Sequence, residues 1–453
     1  MSSVLIDSQT EHCSDALDLF TLPAHQVAVD SFYNTDLLPS HPLSNANSQI
    51  VFEGPVSDDY SDLDQTRLCI KVRIKNGNRT DLGAFVANTA ANPAQANSVG
   101  FANLALNTMF AGVEVKLNGI STNSNFFTNG YISYFQTILS YGEETLNSKL
   151  SLAGWAKDND LTLCAADAGS DVTSGFYKRA KKTELSKEWT LIGHIHNPLM
   201  MQNRYLIPLM PMTIVLTKAR PEFCLQSNST TPDFTFEISE AKVMIRRVKV
   251  ISTYKLKLEN ELSKHDCIYP LRTFDCRPYS LDAGIKSFTF SNIFPGNNTI
   301  PDYCCVGLLR ASVFSGSWGS SPYIFENFGL EEISIGFDQH RFTYECQYEN
   351  IRAIDYTASY DGLFIGAGSK SNNGLSISLE QFANGWALYT FYFNREESLN
   401  CNLWNTKIAG SARLSLRFSA ATNNPALTVL VYSEENQILK VSSKREVIRT
   451  YNI

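Results

Sequence analysis

Several kinds of signal are missing from this sequence, and each absence removes a class of function. No window approaches the roughly 18 consecutive apolar residues of a membrane-spanning helix, and Met1 to Ala16 has neither the basic start nor the apolar run of a secretory leader. The ten cysteines form no CxxC pair and no metal-type spacing, so reduced, mostly buried thiols of a cytosolic or nuclear protein are expected rather than a disulfide framework. GxSxG elbows, Walker loops, GxGxxG and HExxH are all absent. Positive charge is short as well: 38 Lys and Arg against 45 Asp and Glu leave a formal net charge of -7, which argues against a broad electrostatic grip on nucleic acid.

What is present points to β structure. The 453 residues, 43% of them hydrophobic, can bury a large core and correspond to roughly two to four domains. Phe 27 and Tyr 20 against Met 7 favour strands, because aromatic side chains suit a pleated, half-buried surface.

The stretch from Leu104 to Asp158 organises the rest. Val113, Val115 and Leu117 alternate with Glu114 and Lys116 as in a strand, and Asn118-Gly119 favours positive φ and a tight reversal. Ile132, Phe135, Ile138 and Leu139 then recur at helical spacing, which predicts a short amphipathic helix over 130–141. A helix between strands suggests a β-sandwich with a decorated loop.

The cleanest strand precedes it, with Leu68, Ile70, Val72 and Ile74 on one face and Arg67, Cys69, Lys71, Arg73 and Lys75 on the other. Residues 1–22 read as a polar arm, 24–55 as an irregular approach to a sheet broken by Pro39, Pro42 and Pro55, and 159–189 as a surface loop. Further strands are expected around 190–195, 213–216, 234–238 and 243–251, followed by a linker helix over 254–264 carrying Leu258 and Leu262. A second β-rich half starts near Ile268, with strands around 287–290, 306–313, 333–337, 375–379, 386–393, 413–418 and 427–432. Short strands at this spacing are the mark of sandwiches and jelly rolls, although the halves share no alignable residue repeat.

Candidate sites are few. Asp58, Asp59, Asp62 and Asp64 lack the central Gly and distal Glu of an EF-hand loop and read as turn and strand-edge residues. His194 and His196 sit two apart on a strand, a spacing used in cupin metal sites, but only His265 and His340 lie downstream to complete a ligand set, so structural histidines are the default. The basic runs Lys178-Arg179 with Lys181-Lys182, and Arg246-Arg247 with Lys249, read as solvated faces or subunit contacts. Asn-x-Ser/Thr sites at Asn78, Asn228 and Asn297 mean little without a secretory leader.

Several separated runs are similar, in order, to one family. They are VFEGPVSDDYSDLDQTRLCIKVRI, NLALNTMFAGVEVKLNG, YFQTILSYGEETLNSKLSLAGWAKD, LIGHIHNPL, PEFCL, AKVMIRRVKV and VGLLRASVFSGSWGSSPYIFENFGLEEISIGFDQ, together covering roughly Phe52 to Gln339. They resemble the double jelly-roll major capsid proteins of Polinton/Maverick elements and adintoviruses, and more distantly virophage capsid proteins and adenovirus hexons. The resemblance implies a mainly β fold of two tandem jelly-roll β-barrels with short helices in the loops. Its divisions would be an N-terminal arm at 1–22, a first roll at 23–252, a linker helix at 253–266 and a second roll at 267–453.

It implies a homotrimer of pseudo-hexagonal outline that tiles an icosahedral shell, with penton and minor capsid proteins as further partners and no sequence-specific nucleic-acid binding. It implies a virion capsid location after synthesis in the host cytoplasm or nucleus, without secretion, and assigns no catalytic residue, cofactor or metal. The aromatic loops around Phe126-Phe127 and Trp318–Phe328 would be interface anchors. Two alternatives rest on single features: a β-sandwich carbohydrate-binding or attachment protein using exposed rings such as Trp155 and Trp318, and a cupin-like metalloenzyme using His194 and His196.

Overall fold

A computed structural model describes residues 25–450 except 45–46, 85–98, 123–126, 159–173, 228, 230, 296–298, 338–339, 346–347, 350–352, 355, 367–373, 394–406 and 420–424. Sixteen strands carry the architecture. The first eight are β1 Val29–Leu37, β2 Gln49–Gly54, β3 Tyr60–Asn76, β4 Phe110–Leu117, β5 Ile120–Ser121, β6 Trp189–Gly193, β7 Met212–Lys218 and β8 Phe234–Val250. They form two antiparallel sheets of order β1-β8-β3-β6 and β2-β7-β4-β5.

The second eight are β9 Cys267–Leu281, β10 Ser287–Ser291, β11 Tyr303–Arg310, β12 Leu330–Phe337, β13 His340–Glu345, β14 Leu388–Tyr392, β15 Ala412–Phe418 and β16 Leu427–Val441. Their sheets run β9-β16-β11-β14 and β10-β15-β12-β13. Each set therefore pairs its first strand with its eighth and its second with its seventh, the nested pairing of a jelly roll. The halves repeat this topology without repeating residues.

Strand β3 shows why the pattern folds this way. Leu68, Ile70, Val72 and Ile74 are buried, and the opposite face meets β8 in a ladder of cross-strand ion pairs: Lys71–Glu240 at 2.5 Å, Arg73–Glu237 at 3.1 Å and Lys75–Glu237 at 3.6 Å. Pairs at or near a surface contribute about 0–1 kcal/mol each, so the apolar face sets the register. The Arg246 to Lys249 run lies on the same sheet. Arg246 faces Asp62 at 4.0 Å, Arg247 is buried and donates to the Ser61 hydroxyl at 2.6 Å, and Lys249 faces Asp30 at 3.9 Å.

Asn118 and Gly119 take φ of 47° and 79° and close β4 onto β5, as the dipeptide requires. The segment 24–55 is more regular than expected. It holds β1 and β2, and β1 carries no apolar alternation because its residues from Asp30 to Asn34 are exposed: backbone pairing to β8, not an apolar face, fixes it. The two strands expected over 234–251 are one, β8, with register shifts near Glu240 where the alternation breaks. No strand forms over 375–379. Ser378 instead caps a short helix, Leu379–Ala383, through a capping box with Gln381.

Three helices matter below. They are α1 Asn129–Ser140, α2 Gly175–Thr183 and α3 Ser252–Leu262. The helix expected over 254–264 is α3, starting and ending two residues earlier, and it joins the rolls with only Leu262 buried. Helix α2 corrects the expected surface loop over 159–189, of which 159–173 lie outside the described residues. Ser174 caps it by accepting from Tyr177 N at 3.2 Å, and Phe176 and Ala180, four apart, are buried.

Within the α2 basic run, Arg179 is only 1% exposed. It donates from Nε to Phe101 O at 2.8 Å, from Nη1 to Ala156 O at 2.5 Å, and from Nη2 to both carboxylate oxygens of Asp158 at 3.1 and 3.2 Å. The six described cysteines are free thiols, and all but the half-buried Cys267 are buried, with Cys304 and Cys305 on the central strand β11. Removing the carboxylate leaves a buried guanidinium unpaired. Asp158→Ala is therefore expected to cost about 3–5 kcal/mol in chemical denaturation, while Lys182→Ala on the exposed side of the same helix stays within about 0.5 kcal/mol.

Candidate functional site

The two rolls meet around one buried helix. Helix α1 lies in the loop between β5 and β6, and every residue from Asn129 to Leu139 is buried. The amphipathic helix predicted from Ile132, Phe135, Ile138 and Leu139 is thus correct in place but has no exposed side. Along it, Tyr131, Tyr134 and Phe135 meet rings of the second roll. Tyr134 stacks on Tyr323 at 4.1 Å with planes 3° apart, Tyr131 stacks on Phe314 at 5.7 Å, and Phe135 meets Phe325 at 5.3 Å and Tyr432 at 5.4 Å.

Several polar groups are matched across the same boundary, while the hydroxyls of Tyr131, Ser133 and Thr137 on α1 are buried without a hydrogen-bond partner among the described residues. Tyr323 OH lies 2.5 Å from Thr108 Oγ1 and 3.3 Å from Gly130 O. Trp386 Nε1 donates to Tyr134 OH at 3.1 Å, and Thr128 Oγ1 donates to Cys276 O at 3.0 Å. The absence of a side chain at Gly307 on β11 makes room for Phe325: a Cβ there would lie 2.6 Å from its ring. The loop Trp318–Phe328 is therefore an anchor within the chain, with Tyr323 and Phe325 fully buried and Trp318 against Phe234 at 6.0 Å.

His194 and His196 border this seam and go separate ways. The Arg67 guanidinium donates to His194 Nδ1 at 3.0 Å, which occupies that ring nitrogen and sets a fixed cation beside the imidazole. His196 Nδ1 faces Gln136 Oε1 of α1 at 2.7 Å. Gln136 also bonds the Tyr432 hydroxyl, which donates to Glu434 Oε1 at 2.6 Å, and Glu434 is paired with Arg272. A polar relay thus crosses from the first roll to the second. Burial, then the Arg67 charge, pushes His194 down to about 4, and burial pushes His196 down to about 3. His265 and His340 are exposed elsewhere, and among the described residues no group of three or more His, Cys, Asp and Glu is placed to hold a metal.

The remaining candidates are dispersed. Asp59 accepts from Tyr33 OH at 2.8 Å, Asp64 accepts from Gln65 Nε2 at 2.9 Å, and Asp62 faces Arg246. Trp155, invoked for a sugar-binding surface, is 4% exposed, which removes that support. Phe127 is exposed and Phe126 lies outside the described residues, as do Asn228 and Asn297. What the sequence did not reveal was the role of Tyr131 and Tyr134. Their partners lie about 190 residues downstream, and no local period marks such a pairing.

Comparison with known proteins follows the same architecture. A chain of the Sputnik virophage structure determined by cryo-EM superposes with a TM-score of 0.64 over 98% of this chain and 93% of its own, at 12% identity. The mavirus major capsid protein gives 0.53 over 98% and 95%, at 12% identity, and the Faustovirus major capsid protein 0.54 over 94% and 92%, at 9% identity. The fold is the double jelly roll of viral major capsid proteins. In sequence, the double jelly roll is 22% identical over 403 residues to the uncharacterized protein F54H12.2 of Caenorhabditis elegans, covering 87% of this chain and 91% of that one. No protein-family model matches it.

Two measurements probe the seam of this double jelly roll. Tyr134→Ala and Tyr323→Ala are each expected to cost about 3–5 kcal/mol, with a double-mutant coupling of about 1 kcal/mol. The histidines act on pH dependence. Their folded values lie below the ordinary 6.5, so the unfolded chain takes up protons first. Stability should fall as pH drops from about 6.5 towards 4, by at most about 1.4 kcal/mol per pH unit for each ring, and His196→Gln should flatten that slope.

Proposed function

We propose that this chain is a major capsid protein that forms pseudo-hexagonal homotrimers and tiles the icosahedral shell of a Polinton-like virus or element. The observation that carries the proposal is the pair of jelly rolls held side by side in one chain by a helix buried from Asn129 to Leu139, superposing over 98% of its length on a virophage chain. A rigid pair of upright sandwiches is what a capsomer subunit needs, since three copies then present six similar barrels around one axis.

In this reading residues 23–252 and 267–453 are the two rolls of the subunit, 253–266 is their linker and 1–22 an arm. The partners are other copies of the chain, first in the trimer and then across the lattice, with penton and minor capsid proteins at its limits. The net charge of -7 suits a shell that is filled by a separate machine and does not condense its genome on basic arms, and the ion-paired cations of β3 and β8 agree with that. A relative among the proteins of a nematode favours an element carried by an animal over a free-living virus alone. The role is structural, and the chemistry of the seam, neutral histidines and buried rings, serves packing.

Light scattering on the purified protein, with negative-stain images of the same peak, tests this directly. The expected result is three chain masses of 50.5 kDa each in hexagonal particles. A monodisperse monomer or dimer across the accessible concentration range, with no such particles, would sink the proposal.

A further inference from the structure

Beyond the C-terminal end of α1 the rolls separate, and a cleft of about 890 Å³ opens between them. One wall is a continuation of the sheet face that α1 covers. Tyr432 on β16 packs under Phe135, and the next residues on that face, Glu434 and Ile438, line the cleft together with Ile268, Arg272 and Phe274 on β9. The opposite wall comes from the first roll, where Met201 and Arg204 follow β6. Ile268 and Met201 are 46% and 41% exposed, an apolar strip uncovered in the isolated chain.

The charge in the cleft is unbalanced. Arg272 is paired with Glu434, but Arg204 is exposed, its guanidinium held at the cleft by donation to Ile268 O at 2.6 Å, and no carboxylate among the described residues lies within ion-pair distance of it. The chain contains a segment of the complementary kind. Residues 1–24, outside the described residues, carry Asp7, Glu11, Asp15 and Asp18, no Lys or Arg, and the apolar cluster Leu17, Leu19, Phe20 and Leu22.

The two are within reach. The described chain starts at His25, and Ala28 O accepts from Ile251 N at 3.0 Å, one residue before α3. Helix α3 is about 16 Å long and only residues 263–266 separate it from β9, so the root of the segment lies within about 35 Å of Ile268, whereas 24 extended residues span about 80 Å. We propose that residues 1–24 dock into the inter-roll cleft of their own chain, with their acidic side chains at Arg204 and their apolar ones on Met201, Ile268 and Phe274. The docked segment completes the cover that α1 begins, and the proposal holds for the free chain whether or not it forms a shell.

The test uses the full-length protein and its native Cys13. Asn203→Cys, exposed at the cleft, is treated with a short bismaleimide beside a control, Ser287→Cys on the remote strand β10, and links are mapped by mass spectrometry. Docking predicts an intrachain Cys13 link to position 203 at least about tenfold above the link to position 287, through the raised effective concentration. The link should fall to the control level in Arg204→Glu and in the double variant Asp15→Asn, Asp18→Asn, which changes no described residue, and survive in Arg204→Lys. Equal linking at both positions, indifference to the charge changes, or links found only between chains would overturn the proposal.

Discussion

The stacked pair Tyr134 and Tyr323 is the contact on which the molecule depends, because it belongs to neither roll alone. Each roll has its own two-sheet core and meets the other elements mainly through loops. Without α1 the boundary between them would be a polar interface of the kind that lets domains move. By inserting a helix with no solvent-facing side, the chain turns two cores into one continuous apolar body. Burial of Tyr134 and Phe135 alone is worth about 2–3 kcal/mol apiece on area grounds, before any ring geometry is counted.

That arrangement explains why the polar groups of the seam are chosen as they are. A hydroxyl or indole N–H buried between sandwiches is costly unless matched, and Tyr323 with Thr108, and Trp386 with Tyr134, are matched at hydrogen-bond distance. His196, Gln136, Tyr432 and Glu434 extend the same principle to a relay ending on Arg272. Such a relay specifies register more than it adds stability: a seam of rings alone would slide, while one with directional bonds has a single fit.

The sequence made some features legible and hid others, for physical reasons. Period-two alternation marked β3 and β4 because each has one face on a core and the other partly in water, and Asn118-Gly119 marked its turn because few other dipeptides accept that backbone. Strand β1 was hidden because an edge strand held by backbone pairing needs no apolar stripe. Helix α2 was hidden because its two buried anchors sit among four basic residues, one of which, Arg179, is itself interior. The fold class could be inferred from strand spacing and from resemblance, whereas the seam could not, since Tyr134 and Tyr323 are joined by topology alone. His194 and His196 illustrate the opposite error: a spacing that suggests metal chemistry serves two unrelated contacts.

The thiols carry a consequence of a different kind. Burial pushes Cys224, Cys276, Cys304 and Cys305 up from the ordinary thiol range, so at neutral pH they carry almost no thiolate, the form that attacks disulfides and reacts with peroxide. These four thiols can therefore pass from a reducing to an oxidising environment with their covalent state unchanged, because packing rather than a bond to a partner sulfur keeps them inert.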